Sequence, residues 1–432
     1  MMGREIPKYC LNLIKNKGIE HSEAIYTVTK KYEFNINFGK VALLRTIESE
    51  NLDLKAIKHN KKGVISLSNV EDDTLLNGIE ELVQNCKMAH EDENNSIAPY
   101  APSETFIFGY ETPDLNRMLQ LTSNFANDVK ERFPKIILGE AYLFFTHTTE
   151  YFMNSNGVDY TTKKGVYKFS GGFTAKEGAN TSSFNHSFFT LKDLDKEIMD
   201  QGDVAELMEQ SVNQIHSQIL NDKFKGDVIL TPDALSTMVS FYLNAYLREN
   251  SIITGSSKLK NSLNEKIASE KLTIKSLGNS EELSDARFVT SDGYKCENLN
   301  IIESGVLRSF LLNSYAGAKS GLGRSKNYGE FIVVDGGEKL LDEIIKGTKK
   351  GIILGRFSGA NPSANGDFSG VAKNSFYVEN GEVKFAISET MISGNLYEIF
   401  NEIEEISKDK AAYGHASLPW IKCNNIMIVG KN

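Results

Sequence analysis

The sequence predicts an α+β protein with two small helix-plus-hairpin units followed by a mostly antiparallel, β-rich carboxy-terminal domain. Two successive stretches each begin with helical periodicity and continue with the alternating β-branched and aromatic residues of paired strands. The remaining chain is rich in glycine and has short strand patterns joined by turn sequences. A length of 432 residues suits two to three domains. We therefore expect domains at residues 1–92, 113–221 and 226–432.

The first unit is predicted from local pattern alone. Residues 6–17 have helical periodicity, and residues 23–45 alternate in the manner of strands. A second helix is expected over residues 73–89, because its apolar residues form one stripe and acidic residues lie near its start. The unit should end in the polar segment 90–112, where prolines cluster and a domain boundary is expected.

The second unit repeats this order. We expect a helix over residues 114–132, strands between residues 135 and 190, and a helix over residues 194–220. Within the strand region, Asn154-Ser155-Asn156-Gly157 is a good hairpin turn because asparagine and glycine tolerate positive φ values.

The third region begins after Gly226, where the sequence becomes rich in glycine and the strand patterns become short. It should open with a strand over residues 227–230 and a helix from Pro232 to about residue 248, since proline suits the first helical turn. Further on, Glu379-Asn380-Gly381-Glu382 should join two strands as a hairpin, and residues 426–429 should form a closing strand.

Composition excludes several classes of function. A net charge of −9 and a pI near 5.5 argue against direct nucleic-acid binding. The sequence has no uninterrupted apolar run of the roughly 18 to 20 residues that a membrane span requires, and no apolar signal region at its start. Four scattered cysteines fit free thiols in a reducing compartment. These features predict a soluble, cytoplasmic protein without membrane contact.

Common catalytic motifs are missing from the sequence. The pair His90-Glu91 is not followed by the second histidine of a zinc-protease helix. Gly39-Lys40 lacks the serine or threonine of a phosphate loop, and Gly321-Leu322-Gly323 is better interpreted as a helix cap than as a dinucleotide fingerprint. The remaining histidines are isolated in sequence, which leaves open a metal site assembled from distant positions.

Residues 355–370 form the most unusual passage of the chain. Gly355-Arg356-Phe357-Ser358-Gly359 and Gly366-Asp367-Phe368-Ser369-Gly370 each place a phenylalanine and a serine between glycines. Neither has the spacing of a serine-hydrolase nucleophile elbow. Residue types alone favour an interpretation as two tight turns, with the phenylalanine rings docked into the core, rather than as a binding loop.

The order of this passage and two following segments resembles the carboxy-terminal signature of the TldD/PmbA family, once called modulators of DNA gyrase. The following segments are Phe376-Tyr377-Val378-Glu379-Asn380-Gly381-Glu382 and Ile387-Ser388-Glu389-Thr390-Met391-Ile392-Ser393-Gly394-Asn395-Leu396. The resemblance extends loosely from residue 154 to Gly430 and implies the family's α+β fold. One kind of subunit in the family, the TldD type, carries zinc on a His-Glu-x-x-x-His helix, whereas the PmbA or TldE type lacks these ligands.

The resemblance also implies where a zinc motif would lie. Residues 265–270 resemble the stretch after the zinc helix, so the motif positions fall on Ser240, Phe241 and Ala245. None of these side chains can bind zinc or activate water. A shift by one residue gives Val239, Ser240 and Asn244, which are no better. Cys423 lies later than the family's ligand cysteine, and that role is not transferred to it.

These departures predict a PmbA/TldE-type, non-catalytic subunit that works with a TldD-type metalloprotease on unfolded peptides. The chain itself should hold no metal and no cofactor, with zinc expected only in the TldD-type partner. Its assembly could be a heterodimer with that partner or a homodimer. Two alternatives remain: a free-standing hydrolase with an unrecognised active site, and a homodimeric peptide-binding protein. Candidate peptide- or partner-binding residues are Arg356, Phe357, Ser358, Asn361, Asp367, Phe368 and Ser369.

Overall fold

The computed structural model describes residues 3–37 and 39–431. Its amino-terminal half starts with a helix whose buried residues Ile6, Cys10 and Ile14 recur every fourth position, which places them on one face. The helix ends before Gly18, whose φ is +74°. Elements of this half are α1 (Glu5–Asn16), β1 (His21–Asn37), β2 (Lys40–Lys58), β3 (Lys61–Leu67), α2 (Asp72–Met88), β4 (Glu104–Gly109), α3 (Leu115–Arg132), β5 (Ile136–Asn154), β6 (Asp159–Glu177), β7 (Asn180–Thr181), β8 (Asn185–Leu191) and α4 (Val204–Asn213).

The strands of both predicted amino-terminal units form one sheet. Its order within the described residues is β3-β2-β1-β5-β6-β4, with β7 and β8 also paired to β6. The units join through β1 and β5, which run antiparallel from Glu23 opposite Asn154 to Asn37 opposite Glu140. The proposed division at residues 92 and 113 stays a prediction, but the two units share a continuous backbone ladder.

The segment in which a domain boundary is expected contains a strand. β4 pairs in parallel with β6 from Glu104 opposite Tyr160 to Gly109 opposite Gly165. Its side chains alternate between half-buried and exposed, as on an edge strand. The strand arises because a short Thr-Phe-Ile-Phe alternation lies between Pro102 and Pro113, and the domain boundary expected in segment 90–112 stays a prediction.

The helix predicted over residues 194–220 is much shorter in the structure. A 3₁₀ turn covers Ile198–Asp200, α4 covers Val204–Asn213, and a second 3₁₀ turn covers Gln214–His216. Gly202 adopts φ +59° between the first turn and α4, a conformation that breaks a right-handed helix.

The carboxy-terminal half is built on a second sheet that is mostly antiparallel, as predicted. Within the described residues it contains fourteen strands, and its parallel pairs are β10 with β15, β14 with β22, and β9 with β19. The elements are β9 (Gln218–Ile219), β10 (Lys223–Leu230), α5 (Pro232–Tyr246), α6 (Glu249–Ile253), β11 (Ile274–Ser276), β12 (Leu299–Glu303), β13 (Val306–Leu307), α7 (Ser314–Ser320), β14 (Ile332–Val334), α8 (Leu341–Lys346), β15 (Lys350–Leu354), β16 (Arg356–Gly359), β17 (Asp367–Lys373), β18 (Ser375–Glu379), β19 (Glu382–Ser388), β20 (Met391–Asn395), α9 (Leu396–Asn401), β21 (Ile403–Ala412) and β22 (Ser417–Val429).

Several local predictions in this half are confirmed. β18 and β19 form the expected hairpin, and Asn380 and Gly381 at its turn have φ values of +52° and +79°. Gly321 caps α7 in the left-handed region, as a helix-cap interpretation requires. The closing strand β22 is longer than predicted and pairs with β10, β20 and β21.

One hydrophobic core connects the two sheets. It includes Phe145 and Phe169 from the first sheet, Val228 from the second, and the buried face of α5. The core therefore fixes α5 against both halves of the chain, and α5 carries the positions where the resemblance places a zinc motif. Among the described helices, none is long and apolar enough to cross a membrane.

Candidate functional site

The unusual passage of residues 355–370 forms a β-hairpin rather than two separate tight turns. β16 pairs antiparallel with β17 from Arg356 opposite Lys373 to Gly359 opposite Gly370. β17 also pairs with β20 on its other side, where Asp367 lies opposite Asn395. The result is a three-stranded surface whose edge strand is β16.

The inner face of this hairpin is part of the core. Phe357 and Phe368 are only 6% and 4% exposed, and their ring centroids lie 5.7 Å apart in an edge-to-face arrangement. Phe241 of α5 contacts Phe357 edge to face at 6.0 Å. A Cβ on Gly359 or Gly370 would lie 2.6 Å from the Phe357 ring, so only glycine fits there. The docking of both rings is confirmed, and these rings offer a ligand little surface.

The outer face presents the other candidates to solvent. Ser358, Asp367 and Ser369 are exposed on the strands, Asn361 is exposed in the connecting loop, and Arg356 is half-buried. Asp367 accepts a hydrogen bond from Asn395 Nδ2 at 2.8 Å. The structure thus brings all seven predicted residues onto one hairpin, with five of them reaching its surface.

α5 lies against the inner face of the hairpin and is tied to its start. Thr231 caps the helix by accepting a hydrogen bond from the Ala234 amide, and its hydroxyl donates to the Gly355 carbonyl at 2.7 Å. This double contact links the first turn of α5 to the residue that precedes β16. The helix and the hairpin are consequently positioned as one unit.

The zinc-motif positions on α5 do not fit a metal. Ser240 is exposed, Phe241 packs on Phe357, and Ala245 is half-buried. A hydroxyl, a phenyl ring and a methyl group supply neither imidazole nor carboxylate, the ligands that zinc uses on such helices. At the shifted positions, Asn244 Nδ2 lies 3.4 Å from Ser240 Oγ, which is again a neutral pair. Cys423 is fully buried in β22, and burial raises the pKa of its thiol.

Two features of the site escaped sequence reasoning, because each joins distant positions. The first is a contact between Gly366 in the hairpin loop and Tyr246 at the end of α5. Gly366 has φ +90°, and a Cβ there would lie 2.0 Å from the Tyr246 hydroxyl. That hydroxyl is buried without a hydrogen-bond partner among the described residues, and burial raises the pKa of Tyr246 to about 12.

This contact gives a test of how the loop is held. We expect Gly366→Ala to lower the free energy of unfolding by about 2–4 kcal/mol, from the left-handed backbone and the clash together. In a Tyr246→Phe background the clash is relieved, so the same substitution should cost only about 1–2 kcal/mol. Urea denaturation of the four proteins measures this coupling. Equal costs in both backgrounds would contradict the contact.

The second feature is a group of carboxylates at the beginnings of α4 and α5. Asp203 accepts hydrogen bonds from Ser187 Oγ at 2.6 Å and from Tyr413 Oη at 2.8 Å. Burial, reinforced by the Asp203 carboxylate, raises the pKa of Asp233 to about 6 against the opposing effect of Arg356. Burial likewise raises the pKa values of Asp203 and Glu206. Asp233 lies close to the hairpin, because it is in the first turn of α5, which Thr231 ties to Gly355.

Asp233 should make stability depend on pH. Because its pKa is higher in the folded than in the unfolded chain, the folded state binds the proton more tightly, and its stability falls as the pH rises from about 4 to about 6. Asp233→Asn removes this loss. We expect the variant to be more stable than the wild type by up to about 3 kcal/mol at neutral pH, the free energy that corresponds to a pKa raised from 3.8 to about 6, and equal to it near pH 4. Thermal melts across this range provide the measurement, and a variant that is less stable at neutral pH would contradict the prediction.

Comparison with known proteins places the chain in a family. Residues 223–430 match the PmbA/TldA metallopeptidase C-terminal domain. A zinc metalloprotease TldD homolog of Saccharolobus solfataricus is 27% identical over 49% of this chain, and the match spans about half of that relative, 51%. A metalloprotease PmbA homolog of Buchnera aphidicola is 25% identical over 88% of this chain and 84% of its own length. The carboxy-terminal region, residues 223–430, therefore belongs to the TldD/PmbA family.

Solved structures share the fold over the whole chain. TldE from Thermococcus kodakarensis superposes with a TM-score of 0.83 at 18% identity, covering 98% of this chain and 100% of that one. A Bacteroides thetaiotaomicron protein named as a candidate modulator of DNA gyrase gives a TM-score of 0.87 at 21% identity, covering 99% and 98%. The expected α+β architecture of the TldD/PmbA family is therefore confirmed.

Proposed function

We propose that this chain is a non-catalytic, TldE/PmbA-like subunit of a TldD-type metalloprotease that degrades or processes unfolded peptides. The observation that carries the proposal is the chemistry of α5. At the positions where the family resemblance places zinc ligands and a general base, it has Ser240, Phe241 and Ala245. The structural similarity to TldE supports the same assignment. Zinc chemistry would then belong to the TldD-type partner.

The hairpin would serve as the surface that contacts a peptide or the partner. β16 has a strand neighbour, β17, on one side, and within the described residues no strand pairs with its other side. An extended peptide can add to such an edge through main-chain hydrogen bonds. Phe357 and Phe368 anchor the hairpin to the core, while Ser358 and Ser369 present neutral hydroxyl groups. The main-chain hydrogen bonds of such an edge would not themselves select for the sequence of the peptide.

The partner would be a TldD-type subunit in a heterodimer, or a second copy of this chain. Two chains of one fold can pack around a pseudo-twofold axis, and a stable interface needs roughly 1,200–2,000 Å² of total buried area. The net charge of −9 supports contact with peptides and protein rather than with nucleic acid. We place the complex in the cytoplasm. Size-exclusion chromatography with light scattering separates the heterodimer from the homodimer.

Metal content tests the non-catalytic assignment directly. We expect the purified chain to retain no stoichiometric zinc after dialysis, because α5 offers no imidazole or carboxylate at the motif positions. Elemental analysis by mass spectrometry gives the metal-to-protein ratio, with a TldD-type subunit purified in parallel as the positive control. One zinc ion per chain that resists mild chelation would overturn the proposal and direct attention to His186 and His415 as ligands.

A further inference from the structure

The outer face of the hairpin has two cations directly opposite each other. Arg356 on β16 and Lys373 on β17 are partners in the antiparallel register, so their side chains lie on the same face. Like charges in this position destabilise a sheet. Neither side chain has a carboxylate within 4.0 Å among the described residues. The arrangement is unfavourable in the isolated chain and would become favourable if an anion bound beside it.

Arg356 has hydrogen-bond donors that lack a good partner among the described residues. Its Nη2 donates to the Phe184 carbonyl at a long 3.4 Å, and its Nε is buried without a partner in the described part of the chain. The acidic group that it influences is Asp233 at the start of α5, where the charge of Arg356 only partly opposes the rise in the Asp233 pKa caused by burial and by Asp203. Neither forms a contact with Arg356. A guanidinium in this state can still bind a carboxylate through two parallel N–H donors.

The position of Arg356 on the edge strand defines what could reach it. A peptide added along β16 would place alternate side chains on the outer face, next to Arg356. Lys373 lies on the neighbouring strand β17 and adds positive electrostatic potential at this position. At the other end of β17, Asp367 carries the opposite charge and is bonded to Asn395. An anionic group is therefore favoured at the Arg356 end of the hairpin and disfavoured at the Asp367 end.

We propose that Arg356, supported by Lys373, binds a carboxylate of an extended peptide paired along β16. This inference rests on the proposed peptide contact of the hairpin and adds a charge preference to it. The carboxylate could be an acidic side chain or the carboxy-terminal group of the peptide, since both present the same pair of oxygens. The subunit would then favour acidic or carboxy-terminal segments of an unfolded chain.

Binding measurements on the full chain test this without proteolysis. Three fluorescein-labelled, carboxy-amidated peptides of glycine, serine and alanine would differ only in a central Glu, Gln or Lys, and a fourth would be the Gln peptide with a free carboxy-terminus. By fluorescence anisotropy we expect the Glu peptide, the peptide with a free carboxy-terminus, or both to bind about tenfold more tightly than the amidated Gln peptide. The Lys peptide should bind most weakly. Comparison of the Glu peptide with the free-terminus peptide shows whether the bound carboxylate is an acidic side chain or the carboxy-terminal group.

Three variants link the preference to the cation pair. Arg356→Gln should abolish it, and Lys373→Gln should reduce it. Lys8→Gln on the distant α1 also removes one positive charge and should leave the preference intact. Circular dichroism confirms that each variant is folded, and Lys373→Gln provides an independent test if Arg356→Gln is not.

The outcomes separate this inference from the proposed function. If all four peptides bind equally, or if the preference survives in Arg356→Gln, the carboxylate site is wrong while the peptide contact stands. If no peptide binds at all, the proposed peptide contact of this subunit is overturned and the carboxylate site with it.

Discussion

Hydrolysis of casein or of an unstructured peptide is expected only when this chain is mixed with a TldD-type counterpart, and with neither subunit alone. This chain has no group at the α5 motif positions that could bind zinc or polarise water, so it should contribute position rather than chemistry. The counterpart would supply the metal site. Mixing should therefore raise the rate from background to a readily measured value, detected by gel or by release of a fluorescent fragment.

The decisive control is a counterpart whose metal-site glutamate has been replaced. Its mixture with this chain should form the complex and remain inactive, because the general base is lost. Cleavage by this chain alone, or by the mixture with the disabled counterpart, would show that this subunit carries its own active site. That result would favour the free-standing hydrolase alternative. A mixture that neither associates nor cleaves would favour a peptide-binding homodimer.

Local sequence patterns predicted the parts of the fold that depend on local physics. The turn at Asn380-Gly381 follows from the positive φ values that these two residues tolerate. The helix α1 follows from the spacing of its buried residues. The pairing of β1 with β5, and of β4 with β6, joins residues more than fifty positions apart. No local pattern specifies such partners, so the union of the two amino-terminal units in one sheet was not predicted.

The site shows the same limit. The docking of Phe357 and Phe368 could be predicted, because large aromatic residues between glycines favour a close approach of the backbone to the core. The opposition of Arg356 and Lys373 could not, because it depends on the register of a hairpin with a seven-residue connection, residues 360–366. Asp233 acquires its raised pKa from burial and from Asp203, the residue that precedes α4. These features exist only after the chain has folded.

Phe357→Ala should lower the free energy of unfolding by about 3–5 kcal/mol, the usual cost of removing a buried aromatic side chain. The ring packs between Phe368 and Phe241 and covers two glycines that leave no side chain to fill the cavity. The neighbouring Ser358 points to the outer face and is exposed, so Ser358→Ala should change stability by less than about 0.5 kcal/mol. Guanidinium denaturation of the two variants compares adjacent residues on opposite faces of one strand.

Because the hairpin is anchored by this ring, Phe357→Ala should also weaken peptide binding while Ser358→Ala preserves the anchor. A Phe357→Ala protein as stable as the wild type would mean that the hairpin is not held by its rings and that the edge of β16 lacks the fixed position that the proposed peptide contact requires.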